Sequence, residues 1–432
     1  MTGTPEFQTA LSEALIGRLR AGAEAMKPWL VQTRRNFHRR PEVGWREIET
    51  TRDIVAELSA LGYRVTAGQD FLKSAVRLGM SIDPIPGEGD TGCIAVFDTG
   101  RPGPTVCLRV DIDALPIEEA RGNHAPDAGG WRSERPGVMH ACGHDGHIAI
   151  GLGVARLLRP LLDGLQGRVK LLFQPAEEGG RGARAVRDAG WVDDVDFLTA
   201  VHIGLGAASR VLAVGVHGFL ATRKYRVLLS GRPAHAGVSP ELGRNALLCA
   251  CQMVLGLHAL AQSSRPGIRV NVGTMTAGKS MNIVAEAARF DFEMRAVEGE
   301  DLDALERRCL RLIDSTADAH EIERAYQLLA DVGPWTNTPG TSEWALGINR
   351  RVRAFPEELT SFNIGGGEDV TTLAARVAER GGQAAVYVVG ADLADRHHTS
   401  HFDFDEDVLA RSVLFLGAGL IDRLLAAPGA GR

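Results

Sequence analysis

The chain has 432 residues, which at ~150 residues per domain sets a prior of two or three domains. Its 48 basic and 54 acidic residues leave a formal charge of −6, which argues against a nucleic-acid partner, and no apolar run approaches the ~20 residues of a membrane helix. The first ten residues lack a basic start followed by an apolar core, and the six cysteines show no framework spacing, so the expectation is a cytoplasmic protein with reduced thiols.

Residues 10–40 read as helix, with Leu11, Leu15, Ile16 and Leu19 near a 3.6 period, and residues 47–61 as a second helix ending before Gly62. Short apolar strands are expected at 93–97, 106–110, 169–173 and 197–201, with helices at 143–158 and 181–188. Buried apolar strands alternating with helices predict an α/β layer structure whose sheet is mixed and mostly parallel. The pattern changes near Gly218: a half-exposed strand at 224–230, a helix at 240–262, paired strands at 269–276 and 288–295, and a helix at 301–317. That order fits a small α+β, ferredoxin-like unit of the split βαβ kind. Helices at 341–353 and 369–379, a strand at 384–389 and a last helix from Asp405 then resume the first pattern. The reading is a catalytic domain in two pieces, 1–216 and 329–432, interrupted by an inserted domain at 217–328.

Gly273-Thr-Met-Thr-Ala-Gly278-Lys279-Ser280 fits the phosphate-loop pattern letter for letter. The pattern carries meaning only between a strand and a helix. Here a strand is expected on both sides, so the segment reads as a hairpin turn.

The densest chemical signal is Met139-His140-Ala-Cys142-Gly143-His144-Asp145-Gly146-His147. Thiolate and imidazole bind borderline divalent metals, and a tight turn lets Cys142 and His144 point into one pocket. Gln174-Pro175-Ala-Glu177-Glu178-Gly179 follows a strand directly, where ligands bind in open α/β sheets. Two adjacent carboxylates there can divide the work, one holding metal and the other acting as general base. His202 lies at a third strand end, and Arg396-His397-His398-Thr-Ser-His401-Phe402 offers three more imidazoles among which spacing does not choose. Together these suffice for two metal ions that share ligands, with water activated between them and hydrolysis at a polarised carbonyl as the reaction class.

At these residues the sequence resembles the metal-dependent aminoacylase and carboxypeptidase-G superfamily, in the branch of the indole-acetyl-amino-acid and p-aminobenzoyl-glutamate hydrolases. The resemblance is carried in order by Phe37-His-Arg-Arg-Pro-Glu42, Arg109-Val-Asp111-Ile-Asp113, Met139 to His147, Phe173 to Gly182, His202-Ile-Gly204, Ala234-His235-Ala236, Asn271-Val-Gly273, Gly366-Gly-Glu368-Asp369 and His397 to Glu406. It implies two divalent ions, manganese or zinc, held by Cys142, His144, Glu178, His202 and His398, with His401 as the alternative last ligand. It implies Glu177 as the base of a metal-bound hydroxide, Asp113 and Asp145 as residues that orient ligands, His235 as a stabiliser of the oxyanion, and Asn282 and Arg295 as holders of a substrate carboxylate. It further implies a homodimer through the inserted lid, or pairing with a related second chain. The expected reaction is cleavage of an N-acyl or N-aroyl amino acid of p-aminobenzoyl-glutamate type. The alternative is hydrolytic deamination of an amino-substituted aromatic acid, with Arg295 or Arg244 gripping the carboxylate. Ala285, in a position where the branch commonly has Pro, and the loop between Asp70 and Gly92 depart from the branch pattern near regions that shape substrate choice.

Overall fold

The structure is a computed structural model that describes residues 11–81 and 84–426; residue 10 of the first expected helix lies outside them. These residues divide into two compact units. One comprises the chain up to His217 together with Trp335–Ile364 and everything from Thr372 onward; the other comprises Gly218–Pro334 and Gly365–Thr371.

The first unit begins with α1 (Glu13–Ala25) and α2 (Lys27–Arg39), where the periodicity suggests one helix. Pro28 favours the break: proline lacks an amide to donate and fits best in a helix's first turn, which is where it stands in α2. There follow α3 (Ile48–Ala60), β1 (Arg64–Ala67), α4 (Gln69–Leu72), β2 (Cys93–Asp98), β3 (Thr105–Asp111), α5 (Ala125–Gly129), α6 (His144–Leu162), β4 (Arg168–Gln174), α7 (Gly182–Asp188), β5 (Phe197–Ile203), β6 (Val211–Ala213) and β7 (Val216–His217). The second unit contributes β8 (Ala221–Ser230), α8 (Ala246–Ala259), β9 (Arg269–Ala277), β10 (Ala287–Ala296), α9 (Gly299–Ala319) and β11 (Glu323–Val332). The chain closes with α10 (Thr341–Val352), β12 (Glu357–Leu359), β13 (Phe362–Asn363), α11 (Val370–Glu379), β14 (Gln383–Val389) and α12 (Asp407–Leu425).

Eight strands of the first unit form one mixed sheet in the order β1-β2-β4-β3-β5-β14-β6-β12. The four neighbours β4, β3, β5 and β14 run parallel, so their carboxyl ends share one rim. Alternation along the strands feeds two apolar layers. Val106, Leu108 and Val110 of β3 join a core built with α1, α2, α6 and α12, whereas Cys107 faces a second core with α7 and α11. Helix α6 sits directly on this sheet because Gly151 has no side chain: a Cβ there would meet Phe173 and Val110 at 2.9 Å. No helix among the described residues is long and apolar enough to cross a membrane.

The second unit is an antiparallel sheet, β11-β8-β10-β9, with Val227, Leu229, Phe290, Phe292 and Met294 buried against α8 and α9. It extends past residue 328 because β11 runs on to Val332. It also takes back Gly365–Thr371, through hydrogen bonds from Leu220 N–H to the Gly366 carbonyl (2.9 Å) and from the Thr371 hydroxyl to the Gly333 carbonyl (2.9 Å). The helix expected over 240–262 starts late. Pro240–Leu242 is a single 3-10 turn, and α8 begins after Asn245, whose side chain accepts the Leu248 amide at 3.1 Å. The 273–280 segment ends β9, turns at Gly278 (φ +69°) and leads into β10, which pairs antiparallel with β9. The helix that a phosphate loop needs is not there.

Candidate metal centre

The rim of parallel strand ends gathers the chemistry. Gly143 (φ +88°) makes the turn into α6, and its left-handed conformation lets Cys142 and His144 flank one pocket. His144 Nδ1 donates to the Asp113 carbonyl (2.9 Å), which leaves Nε2 turned inward, buried and without a hydrogen-bond partner. His202, near the end of β5, is fixed the same way: Nδ1 donates to the Ile203 carbonyl (2.9 Å), and Nε2 lies 3.6 Å from the Cys142 sulfur. Backbone carbonyls thus fix both rings through Nδ1 and leave both Nε2 atoms turned toward the pocket.

After β4 the chain bends at Ala176, a non-glycine residue at φ +51°. The Asp113 carboxylate accepts the amides of Glu177 (3.0 Å) and Glu178 (2.9 Å), fixing the two carboxylate-bearing residues as a pair. Glu178 Oε1 is buried without a hydrogen-bond partner and lies 3.4 Å from His398 Nε2, whereas Glu177 Oε2 lies 4.0 Å from His144 Nε2. His398 is itself at φ +63°, held by its amide to the Ala141 carbonyl (2.8 Å). Left-handed non-glycine residues cost about 1–2 kcal/mol each, and here they sit at two of the turns that carry candidate ligands.

The ligand atoms fall into overlapping groups within 4.8 Å: Cys142, His144 and His202; Cys142, Glu178 and His398; His144, Glu177 and Glu178. His140 is buried with neither ring nitrogen hydrogen-bonded and belongs to none of these groups, while His147, His397 and His401 are engaged elsewhere. His147 Nε2 accepts the Ile203 amide (3.0 Å), so its Nδ1 donates to Asp111 (2.6 Å). His397 Nε2 bonds the Ile203 carbonyl (3.2 Å), and His401 packs its exposed ring against His124.

The field of the pocket favours a cation. Burial opposes charge on His144, but Asp111 and Asp113 outweigh it and push its pKa well up. Burial, with His147 beside it, holds His202 well below its usual range and therefore neutral. Burial and then Glu178 push the Cys142 thiol up to about 12, a value a coordinated dication would reverse. Two buried, unpartnered donor atoms beside a thiol and further imidazoles fit a bound divalent metal ion.

His235, Arg244, Asn282 and Arg295, expected near the substrate, lie in the second unit. His235 and Asn282 are neighbours, with the Ala236 amide donating to the Asn282 carbonyl (3.0 Å). Arg295 is at the far end of β10, its guanidinium on Glu293 (3.0 and 3.1 Å). Arg244 is tied to Glu321 at 2.7 Å. The buried residues Arg34, Glu47 and Glu119 carry no individual signal in the sequence. The charged alternation Arg109-Val-Asp111-Ile-Asp113 at the end of an apolar strand is the visible trace of the support beneath the site.

A sulfur, imidazole and carboxylate cluster beyond the carboxyl ends of parallel strands marks the class of metal-dependent hydrolases. Residues 107–420 match the model described as Peptidase family M20/M25/M40, and the chain belongs to that family of hydrolases. It is 40% identical to an indole-3-acetyl-aspartic acid hydrolase of Enterobacter agglomerans, over 89% of this chain and 94% of that one. It is 39% identical to one of the subunits of p-aminobenzoyl-glutamate hydrolase from Escherichia coli (strain K12), over 90% of this chain and 94% of that one. A crystal structure of an aminobenzoyl-glutamate utilization protein from Klebsiella pneumoniae superposes with a TM-score of 0.78 at 33% identity, covering 96% of this chain and all of that one.

Proposed function

We propose that the chain cleaves the amide joining an acyl or aroyl group to an amino acid with a free carboxylate, a p-aminobenzoyl-glutamate-like conjugate. Two divalent ions, manganese or zinc, would be held by Cys142, His144, Glu178, His202 and His398. The observation that carries this reading is the pair of buried, unpartnered atoms, His144 Nε2 and Glu178 Oε1, facing the same space as Cys142. The names of the two relatives, both hydrolases of amino-acid conjugates, support the substrate class.

Bound at this rim, such ions would polarise the amide carbonyl and make water acidic enough to ionise near neutral pH. Glu177 accepts the proton of the attacking water and returns it to the departing amine. Asp113 keeps Glu177 and Glu178 in register through their amides. His235 donates to the developing oxyanion, and Asn282 with Arg295 holds the free carboxylate, a group that the arginine fork matches. Asn282 precedes β10 and Arg295 stands near its far end, and the strand is about 30 Å long at ~3.3 Å per residue, so one carboxylate meets both only if two chains contribute. A homodimer through the second unit supplies that. Helix α8 exposes Leu248 (55%) and Leu255 (75%), and β9 is an edge strand with unpaired backbone groups on one side.

The deamination reading leans in part on Arg244, whose guanidinium is committed to Glu321. Metal analysis combined with mass spectrometry of the products separates the two reactions, using a panel of acyl-amino acids, aroyl-amino acids and amino-substituted aromatic acids. The expected outcome is two ions per chain and release of a free amino acid, lost on chelation and restored by manganese or zinc. Ammonia as the sole released product would move the assignment to deamination.

A further inference from the structure

We infer that Glu47 is a positioning residue for the proposed base and ligand: its carboxyl group holds the Ala176 amide and thereby sets the Glu177–Glu178 turn. This rests on the reading of that turn given above.

Glu47 stands at the N-cap of α3, where a side chain ordinarily satisfies its own helix, yet it makes no such bond. Glu42 performs that task, accepting the amides of Glu49 (3.2 Å) and Thr50 (2.8 Å). The Glu47 side chain, fully buried, is therefore available to reach across the chain. Its Oε1 accepts the Ala176 amide at 2.7 Å and its Oε2 accepts the Thr91 hydroxyl at 2.7 Å. Together with Asp113, two buried carboxyl groups hold three consecutive amides, those of Ala176, Glu177 and Glu178. Ala176 is the strained member at φ +51°, and such a conformation persists only where its surroundings over-determine it.

The segment before Glu47 is pressed onto the same turn. A Cβ on Gly44 would lie 3.0 Å from both the Ala176 Cα and Asp113 Oδ2. Ala114, next to Asp113, donates its amide to the Glu42 carbonyl (2.8 Å). Burial and the neighbouring Asp113 charge push the Glu47 carboxyl up to about 8, which marks how tightly the two groups are crowded. Glutamine in this place keeps a side-chain oxygen that can accept from the Ala176 amide.

The experiment compares Glu47→Ala, Glu47→Gln and Glu47→Asp with the wild type and with Glu88→Ala. Glu88 is also a buried glutamate; it accepts the amides of Ser81 (3.0 Å) and Ile85 (3.1 Å) and the Arg46 guanidinium (3.0 Å), and none of these bonds goes to Ala176, Glu177 or Glu178. Three quantities are read: zinc affinity of the metal-free protein by calorimetry, the visible spectrum with cobalt, and amide hydrogen exchange over 174–180. Glu47→Ala should weaken zinc binding about 10–100-fold, the range for partners that orient ligands, change the cobalt spectrum and speed exchange across the turn. Glu47→Gln should stay near wild type in all three, and Glu88→Ala should leave the cobalt spectrum and the turn's exchange unchanged. If Glu47→Ala fails to fold, Glu47→Asp, with its carboxyl withdrawn by one methylene, should show the same spectral and exchange changes. Wild-type affinity, spectrum and exchange in Glu47→Ala, or in Glu47→Asp where that is the variant that folds, would overturn the inference. A wild-type protein that takes up no metal would sink the metal reading instead, and exchange over 174–180 would still decide the role of Glu47.

Discussion

Glu177 and Glu178 are adjacent and chemically alike, and Asp113 grips the amides of both. Their carboxylates meet different neighbours. Glu178 reaches His398 and shares a cluster with Cys142, whereas Glu177 lies 4.0 Å from His144. Substitution should separate their roles. Glu177→Gln should keep the full metal content and lose about 10²–10⁴-fold in kcat, the usual weight of a general base. Glu178→Gln should lose metal as well as activity, read by elemental analysis after desalting. Full activity in Glu177→Gln would remove it from the mechanism. Both residues are legible in the sequence because the motif is short and follows an apolar strand. Glu47 is not, because its contact spans 129 residues and leaves no local pattern.

At the scale of elements, a buried cluster ties α2 to the start of α6 and to the segment before α12. Arg34 donates to Asp145 (2.7 Å), Asp403 (2.6 Å) and Glu406 (3.2 Å). Asp145 follows a candidate ligand, and Asp403 follows the His398 loop. Arg34→Met would leave buried carboxylates uncompensated, so unfolding free energy should fall by roughly 3–5 kcal/mol in urea titrations. His38 presents one ring nitrogen to Asp145 (2.8 Å) and the other to Glu119 (2.9 Å), both acceptors, so it is held as a cation. Burial opposes this, but those two hydrogen bonds raise its pKa; burial likewise opposes the lowered pKa of Glu119, which the His38 hydrogen bond sustains. The signs fix a window. The raised imidazole contributes stability below about pH 6.5 that disappears as pH rises through its folded value, and the lowered carboxyl contributes above about pH 4.3 what is lost on acidification. The stability difference between wild type and Glu119→Gln, measured with chelator present, should therefore be greatest between those limits and shrink on either side. The sequence displays the long apolar strands and amphipathic helices, whose periodicity is local. It conceals the short strands β1, β6, β7, β12 and β13, of two to four residues, because so few positions carry no period. It also misplaces the start of α8, because Pro240 resembles a first helical residue while Asn245 is the cap.

For the whole molecule, the proposed dimer makes a test by mixing. Glu177→Gln and His235→Ala damage different parts of a shared site. Inactive chains of the two kinds, unfolded and refolded together, should therefore recover about a quarter of wild-type activity through heterodimers with one intact site. No recovery would place His235 in the same chain's site or outside the mechanism. The order of strands carries a different consequence. β14 is the last strand in chain order among the described residues, yet it lies between β5 and β6 inside the sheet. Until it arrives, β5 presents an unpaired edge and the proposed donor set still lacks His398, which follows β14 in the chain. The order of strands thereby makes the interval before β14 is synthesised a period in which the β5 edge is exposed to aggregation.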